Sequence, residues 1–193
     1  MNPFDLPLIV RGVREITFQP QRAVEAILYI AQKMPKATIH MVLKAMYAAD
    51  KHHLSKYGSF AIGDRYVAMT YGPVASNSYN LMKAARGEES AYINPHFYEV
   101  VEDAFRVVKA EIEPRREANM EWLAKLVVSS LDAGVDAVRG LNFAARVKKS
   151  HDRAWDAARL RGEAEEEDAP NMFMAEIAET LDNGADVVAY LKS

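Results

Sequence analysis

Gly63-Asp64-Arg65-Tyr66-Val67-Ala68-Met69-Thr70-Tyr71-Gly72-Pro73-Val74 is the stretch that separates a mixed α+β chain from an all-helical one. Tyr66, Ala68 and Thr70 alternate with Val67, Met69 and Tyr71, and aromatic and β-branched residues at a period of two favour a strand. The segment from Phe60 reads as two short strands, or as one strand with a lead-in loop, with a break at Gly63-Asp64. Gly72-Pro73 reads as the turn that follows. Proline has no N–H and restricts the residue before it, while glycine adopts backbone angles closed to other residues.

Helical periodicity surrounds this stretch. Val24, Ile27, Leu28, Ala31 and Met34 recur at spacings of three and four between Pro20 and Pro35. Ile39, Val42, Leu43, Met46, Tyr47, Asp50, His53, Leu54 and Tyr57 continue the pattern along a second helix stopped at Gly58, and Lys44, Lys51, His52 and Lys56 project from its other faces. Downstream, a short helix is expected over about 75–86, with Ser76 or Asn77 near its cap. Further helices are expected over about 125–138, 142–148 and 150–160, the last with Ser150 as N-cap and Asp152 in its first turn.

Residues 97–112 carry two readings. Phe97, Val100, Val101, Ala104, Phe105 and Val108 make a helical stripe, yet Tyr98–Val101 and Phe105–Val108 also read as strands around Glu102-Asp103; periodicity alone favours the helix. The acidic run Glu163 to Asp168 repels itself and reads as a solvated loop spanning 161–170. Residues 171–193 read as a C-terminal helical extension packing on the domain, broken at Asn183-Gly184, and residues 1–22 as an N-terminal arm. The expected architecture is α+β, a predominantly helical single domain with a small antiparallel sheet.

Composition narrows the chemistry. The chain has 193 residues, half of them apolar, with 24 basic against 27 acidic side chains and no cysteine. A chain of this length buries about 70% of the surface its unfolded form exposes, enough for a core without staples. Lack of cysteine excludes disulfides, iron–sulfur clusters, thiolate zinc sites and cysteine nucleophiles. The run Leu8-Ile9-Val10 is too short for a signal peptide or a membrane span, so a cytoplasmic protein with no membrane partner is expected. No G-x-x-x-x-G-K, G-x-G-x-x-G or G-x-S-x-G motif is present.

Asp50 and His53 lie on the apolar stripe of the second helix. Burying a carboxylate costs on the order of several kcal/mol unless it finds a partner, and His53 at i+3 is within reach. Recruiting His151 as well, they would form a metal or proton-transfer site of a small metal-dependent or acid–base enzyme. The competing reading is a structural polar network, and no H-x-x-x-H or H-E-x-x-H spacing supports the metal. His40 and His52 read as surface residues. Arg146, Lys148, Lys149, Arg153, Arg159 and Arg161 form a basic patch interleaved with Asp152 and Asp156, which reads as a charge-compensated face rather than a nucleic-acid site. In the arm, Phe4, Leu6, Leu8, Ile9 and Val10 either pack on the domain or offer an apolar peptide to a partner.

The order of three motifs carries a resemblance: Tyr47-Ala48-Ala49-Asp50-Lys51-His52-His53-Leu54-Ser55-Lys56-Tyr57-Gly58, then Gly63 to Val74 as quoted above, then Ser150-His151-Asp152-Arg153-Ala154-Trp155. Over about 23–160 the chain resembles the Panacea domain, the neutralising domain of SocA-like antitoxins. The resemblance implies an antitoxin that binds a cognate, SocB-like toxin directly and, in the SocA branch, an adaptor that hands the toxin to the ClpX/ClpP protease. It implies no catalytic residues, no metal and no cofactor, and it favours strands within 97–112. It also implies structural or partner-surface roles for Asp50, His53, Tyr57, Gly58, Tyr66, Tyr71, Gly72, Pro73, Val74, Ser150, His151 and Trp155. Asp50 would accept hydrogen bonds in the core, Gly72 and Pro73 would set a strand-to-helix turn, and His151 and Trp155 would share one helix face. The chain departs from the family pattern at Leu123-Ala124-Lys125-Leu126-Val127-Val128, where Leu-Ser-x-Ser-Asp is frequent.

Overall fold

Pro20 sits in the first turn of helix α1 (Pro20–Lys33), where its missing N–H leaves no helical bond unmade. The computed structural model describes residues 18–89 and 94–193, so the arm residues Phe4 to Val10 lie outside the described part. Helix α2 (Ile39–Tyr57) starts on Thr38, whose hydroxyl accepts from Met41 N, and stops at Gly58 in the left-handed conformation. Eleven of its nineteen residues are buried, among them Lys44. Neighbouring elements cover most of α2, and the exposed position expected for Lys44 is wrong for that reason.

The expected strand forms, but the turn lies elsewhere. Strand β1 (Tyr66–Met69) pairs antiparallel with β2 (Gly72–Ala75), with Met69 opposite Gly72 and Ala68 opposite Pro73. Thr70 and Tyr71 make the turn, and Gly72-Pro73 opens the returning strand instead of turning the chain. Pro73 is tolerated because β2 is an edge strand of the sheet β2-β1-β5, and an edge position asks for no ladder donor on its outer side. Helix α3 (Ser76–Ala84) follows at once, and neither Ser76 nor Asn77 caps it: its N-cap is Ala75, with no side-chain bond. Asp64 supplies the cap from a distance, its carboxylate accepting from Asn77 N at 3.0 Å and Ser78 N at 2.7 Å.

Both readings of residues 97–112 are half right. Helix α4 (His96–Ala104) occupies the first part, against the strand expectation for Tyr98–Val101, and β3 (Phe105–Val108) pairs antiparallel with β4 (Glu111–Pro114). The stripe Phe97, Val100, Val101 and Ala104 is helical, and at Phe105 the chain turns extended.

Helix α5 (Lys125–Val138) packs along α2, and Gly134 makes the approach possible, because a Cβ there would strike the Ala45 carbonyl. Ala124 is its N-cap, with no side-chain cap bond, at the place where the motif pattern departs. Ala124→Ser is expected to raise stability by about 1 kcal/mol, read as a higher midpoint in urea. Helix α6 (Phe143–Ser150) ends on Ser150, so Ser150 closes one helix rather than opening the next. Asp152 caps α7 (Arg153–Glu165), accepting from Ala154 N and Trp155 N. Helix α7 continues through Glu165, and only the end of the acidic run is loop. The C-terminal part adds β5 (Asn171–Met172) to the free side of β1, then α8 (Met174–Ala178) and α9 (Gly184–Lys192). The strand β5 is too short to leave a periodic signal. Among the described residues one buried cluster runs from Phe18 to Leu191 and joins these elements.

Candidate functional site

Asp50 is wholly buried in α2, and its partners are not His53. One carboxylate oxygen accepts from Ala61 N at 2.7 Å and Ile62 N at 3.1 Å, and the other accepts from Tyr66 OH at 2.8 Å. The carboxylate thus pins the lead-in loop and the first strand to α2. Burial pushes Asp50 up to about 7 against these three bonds, and it pushes the Tyr66 phenol up as well. Asp64 does for α3 what Asp50 does for β1, and burial raises its pKa too.

His53 bonds across to α5, with Nδ1 2.9 Å from Ser130 Oγ, and its ring lies 4.6 Å from that of Tyr57, which is partly exposed. His52 reaches the same hydroxyl at 3.2 Å, so the two neighbouring histidines share a partner although they leave the helix in different directions. His40 is not a free surface residue: burial, with Lys44 and Arg146 nearby, lowers it to about 4.

The second and third motifs meet at Gly72. Its φ is +97°, and a Cβ added there would lie 2.6 Å from Ser150 Oγ, 2.8 Å from Lys44 Nζ and 3.1 Å from His151 Cδ2. Glycine is required here twice, once for the dihedral and once for the space. Lys44 donates to the Pro73 carbonyl at 2.8 Å, tying β2 to α2 from within, and burial lowers its pKa to about 7. No periodic pattern flags this lysine, because its helix is covered on nearly every side.

Asp152 ties the same region together from the α7 side. Besides capping α7, it accepts from Tyr47 OH at 2.9 Å and from Lys51 Nζ at 2.7 Å. Trp155, one turn on, stacks on His151 with ring centroids 3.7 Å apart and donates its indole N–H to the Met69 carbonyl at 3.0 Å. His151 precedes α7, so the two rings meet through the cap geometry rather than through a shared helix face.

The outer side of this junction is aromatic and open. Tyr71 at the hairpin tip is 59% exposed, Phe143 at the start of α6 47%, and Met69 36%. Tyr71 and Phe143 meet edge-on with centroids 5.3 Å apart, and Phe143 leans on the His40 ring at 4.5 Å. Val74 and Pro73 are buried. Phe143 gave no signal in sequence, being a lone aromatic beside an N-cap.

Asp50, His53 and His151 are not gathered into one site: Asp50 bonds Ala61, Ile62 and Tyr66, His53 bonds Ser130, and His151 stacks on Trp155 with its buried Nε2 unbonded among the described residues, where no group of three or more His, Asp and Glu side chains can hold a metal ion. The basic patch is engaged largely by backbone carbonyls rather than by the interleaved aspartates. Lys149 donates to Ala137 O, Arg153 to Glu179 O and Arg159 to Asp168 O, while Arg161 pairs with Glu176. Among the described residues no helix is long and apolar enough to cross a membrane.

Searches of the curated proteins and of the solved structures return no match. A family model does match: residues 42–156, which hold the Asp50 network, the Gly72 junction and Trp155, fit the model described as antitoxin SocA-like, Panacea domain. The chain therefore belongs to the SocA-like antitoxin family that carries the Panacea domain.

Proposed function

We propose that the chain neutralises a SocB-like toxin in the cytoplasm by binding it directly, without catalysis, and delivers it as an adaptor to ClpX/ClpP. Family membership supports the antitoxin role. The observation that carries the binding reading is the exposed Tyr71–Phe143 pair, in which Tyr71 sits on a hairpin that buried Asp50 and Lys44 fasten to α2 and Phe143 opens α6 beside it. Exposed aromatics on a rigid support lose little entropy on docking and are the side chains most enriched at the energetic centres of interfaces. The motif residues Tyr66, Gly72, Pro73, Ser150, His151 and Trp155 act as the scaffold that holds the pair in place. In this reading the arm residues Phe4, Leu6, Leu8, Ile9 and Val10 contact the protease or the toxin.

The test is to express the neighbouring open reading frame with and without this chain. Growth arrest relieved by the chain, a complex that co-purifies, and a toxin half-life that lengthens in cells lacking ClpX are the expected results. A harmless neighbour with no complex would overturn the antitoxin reading, and a toxin lifetime unaffected by ClpX would remove the adaptor step alone.

A further inference from the structure

A cleft of about 230 Å³ lies between α2, the end of α5 and α6, and its wall carries Lys44, Lys51, Arg146 and Lys149 together with Tyr47 and Ser150. Among the described residues no carboxylate lines it, and Asp152 meets its wall only by accepting from Tyr47 OH and Lys51 Nζ. In a chain of net charge -3, four basic side chains around one small space are a local reversal of sign. Among the described residues, only Lys51 of these four has a carboxylate partner, Asp152. The others rest on neutral acceptors: Lys44 on Pro73 O, Lys149 on Ala137 O, and Arg146 on Leu141 O and His40 Nδ1.

Neutral acceptors satisfy N–H geometry but leave the charge uncompensated, and a buried cation without a counter-charge is costly. Lys44, only 3% exposed, bears that cost most heavily. Its lowered pKa is consistent with a site that lacks its anion. The neighbouring histidines add no charge, since burial lowers both His40 and His151.

We infer that this cleft binds a small phosphate monoester, with the phosphate held by Lys44, Arg146 and Lys149. A carboxylate brings one charge and two oxygens and leaves cations unmatched. A phosphate brings up to two charges and three oxygens that can accept from separate donors at once. A water occupies about 30 Å³ of liquid, so the space admits a phosphate with a compact substituent. Tyr47 and the end of α5 offer that substituent an apolar wall. The inference goes beyond toxin neutralisation and does not depend on it.

The purified full-length chain is titrated with inorganic phosphate, glycerol 3-phosphate and acetate at constant ionic strength, by calorimetry and by thermal melting. Saturable one-site binding of both phosphates is expected, with Kd below about 1 mM and glycerol 3-phosphate at least as tight as inorganic phosphate. Lys149→Gln, an exposed position whose change leaves the fold intact, and Arg146→Gln are each expected to weaken binding about tenfold or more. A response that never saturates, acetate as effective as phosphate, or binding unchanged in both variants would overturn the assignment. Loss of toxin capture in Lys149→Gln without any phosphate binding would overturn it as well, and would make the cleft a receptor for an acidic side chain of the protein partner.

Discussion

Asp50→Ala is expected to cost the fold on the order of 3–5 kcal/mol, because it orphans buried donors at Ala61 N, Ile62 N and Tyr66 OH together. Asp50→Asn should cost far less. The amide oxygen can still accept from both backbone N–H groups, the amide nitrogen can donate to the Tyr66 hydroxyl, and the buried charge disappears. The difference between wild type and Asp50→Asn also carries a pH signature. The folded carboxyl, at about 7, holds its proton more tightly than the unfolded one, at 3.8. Its contribution to stability is therefore complete below the unfolded value and is lost as pH rises through the folded one. Asparagine does not titrate, so its stability relative to wild type should improve between pH 4 and 7.5 by at least about 1 kcal/mol. The absolute wild-type curve is a poorer readout. Asp64 pulls in the same direction as Asp50, while His40, His52, His53 and His151, all lowered, add stability as pH rises. Urea titrations of the three proteins across this range measure it. Equal losses in Ala and Asn at every pH would sink the hydrogen-bond account, and an Asn variant that keeps its melting temperature but fails to neutralise toxin would make Asp50 more than scaffold.

Elements governed by one local rule are legible in the sequence. The stripes from Val24 to Tyr57 and the alternation at Tyr66–Tyr71 mark helices and a strand without tertiary help, and Gly58 stops its helix where expected. Legibility ends where a distant residue takes over a local task. Ser76 and Asn77 looked like caps, but Asp64 caps α3 from a preceding loop. The i+3 spacing points Asp50 to its helical neighbour His53, whereas its donors come from residues 11 to 16 positions on. Gly72-Pro73 looked like a turn because glycine and proline punctuate chains, yet the positive φ serves the first residue of a returning edge strand. Polarity points Lys44 to solvent, but the packing of α5 and β2 over α2 puts it inside. The candidate site is made largely of such long-range pairings, so its residues were legible one at a time while their assembly was not.

Tyr71→Ala combined with Phe143→Ala is expected to weaken toxin capture by about a hundredfold or more while lowering stability by less than about 1 kcal/mol. The two effects separate because the pair is exposed. Tyr71 touches Phe143 and Phe143 touches His40, but neither side chain belongs to the buried core cluster, so truncation opens no cavity. At an interface the same rings would be desolvated on the partner's surface, where an aromatic anchor is worth at least about 2 kcal/mol, a factor of roughly thirty each. A second exposed apolar group, Met120, Trp122 and Leu126, lies at the entry to α5 and provides the matched control. Trp122→Ala with Leu126→Ala removes comparable area from a place the hairpin does not support, and should leave capture within a fewfold of wild type. Surface-immobilised toxin and the two double variants at equal concentration give the comparison, with thermal melts of each run alongside. Capture lost only in the Trp122 and Leu126 pair would move the toxin to the α5 entry. Capture lost in Tyr71 and Phe143 together with a large fall in melting temperature would mean that the pair holds the hairpin rather than the partner, and Trp155→Phe, which removes the N–H given to Met69 O and shrinks the ring stacked on His151, would then reproduce the loss.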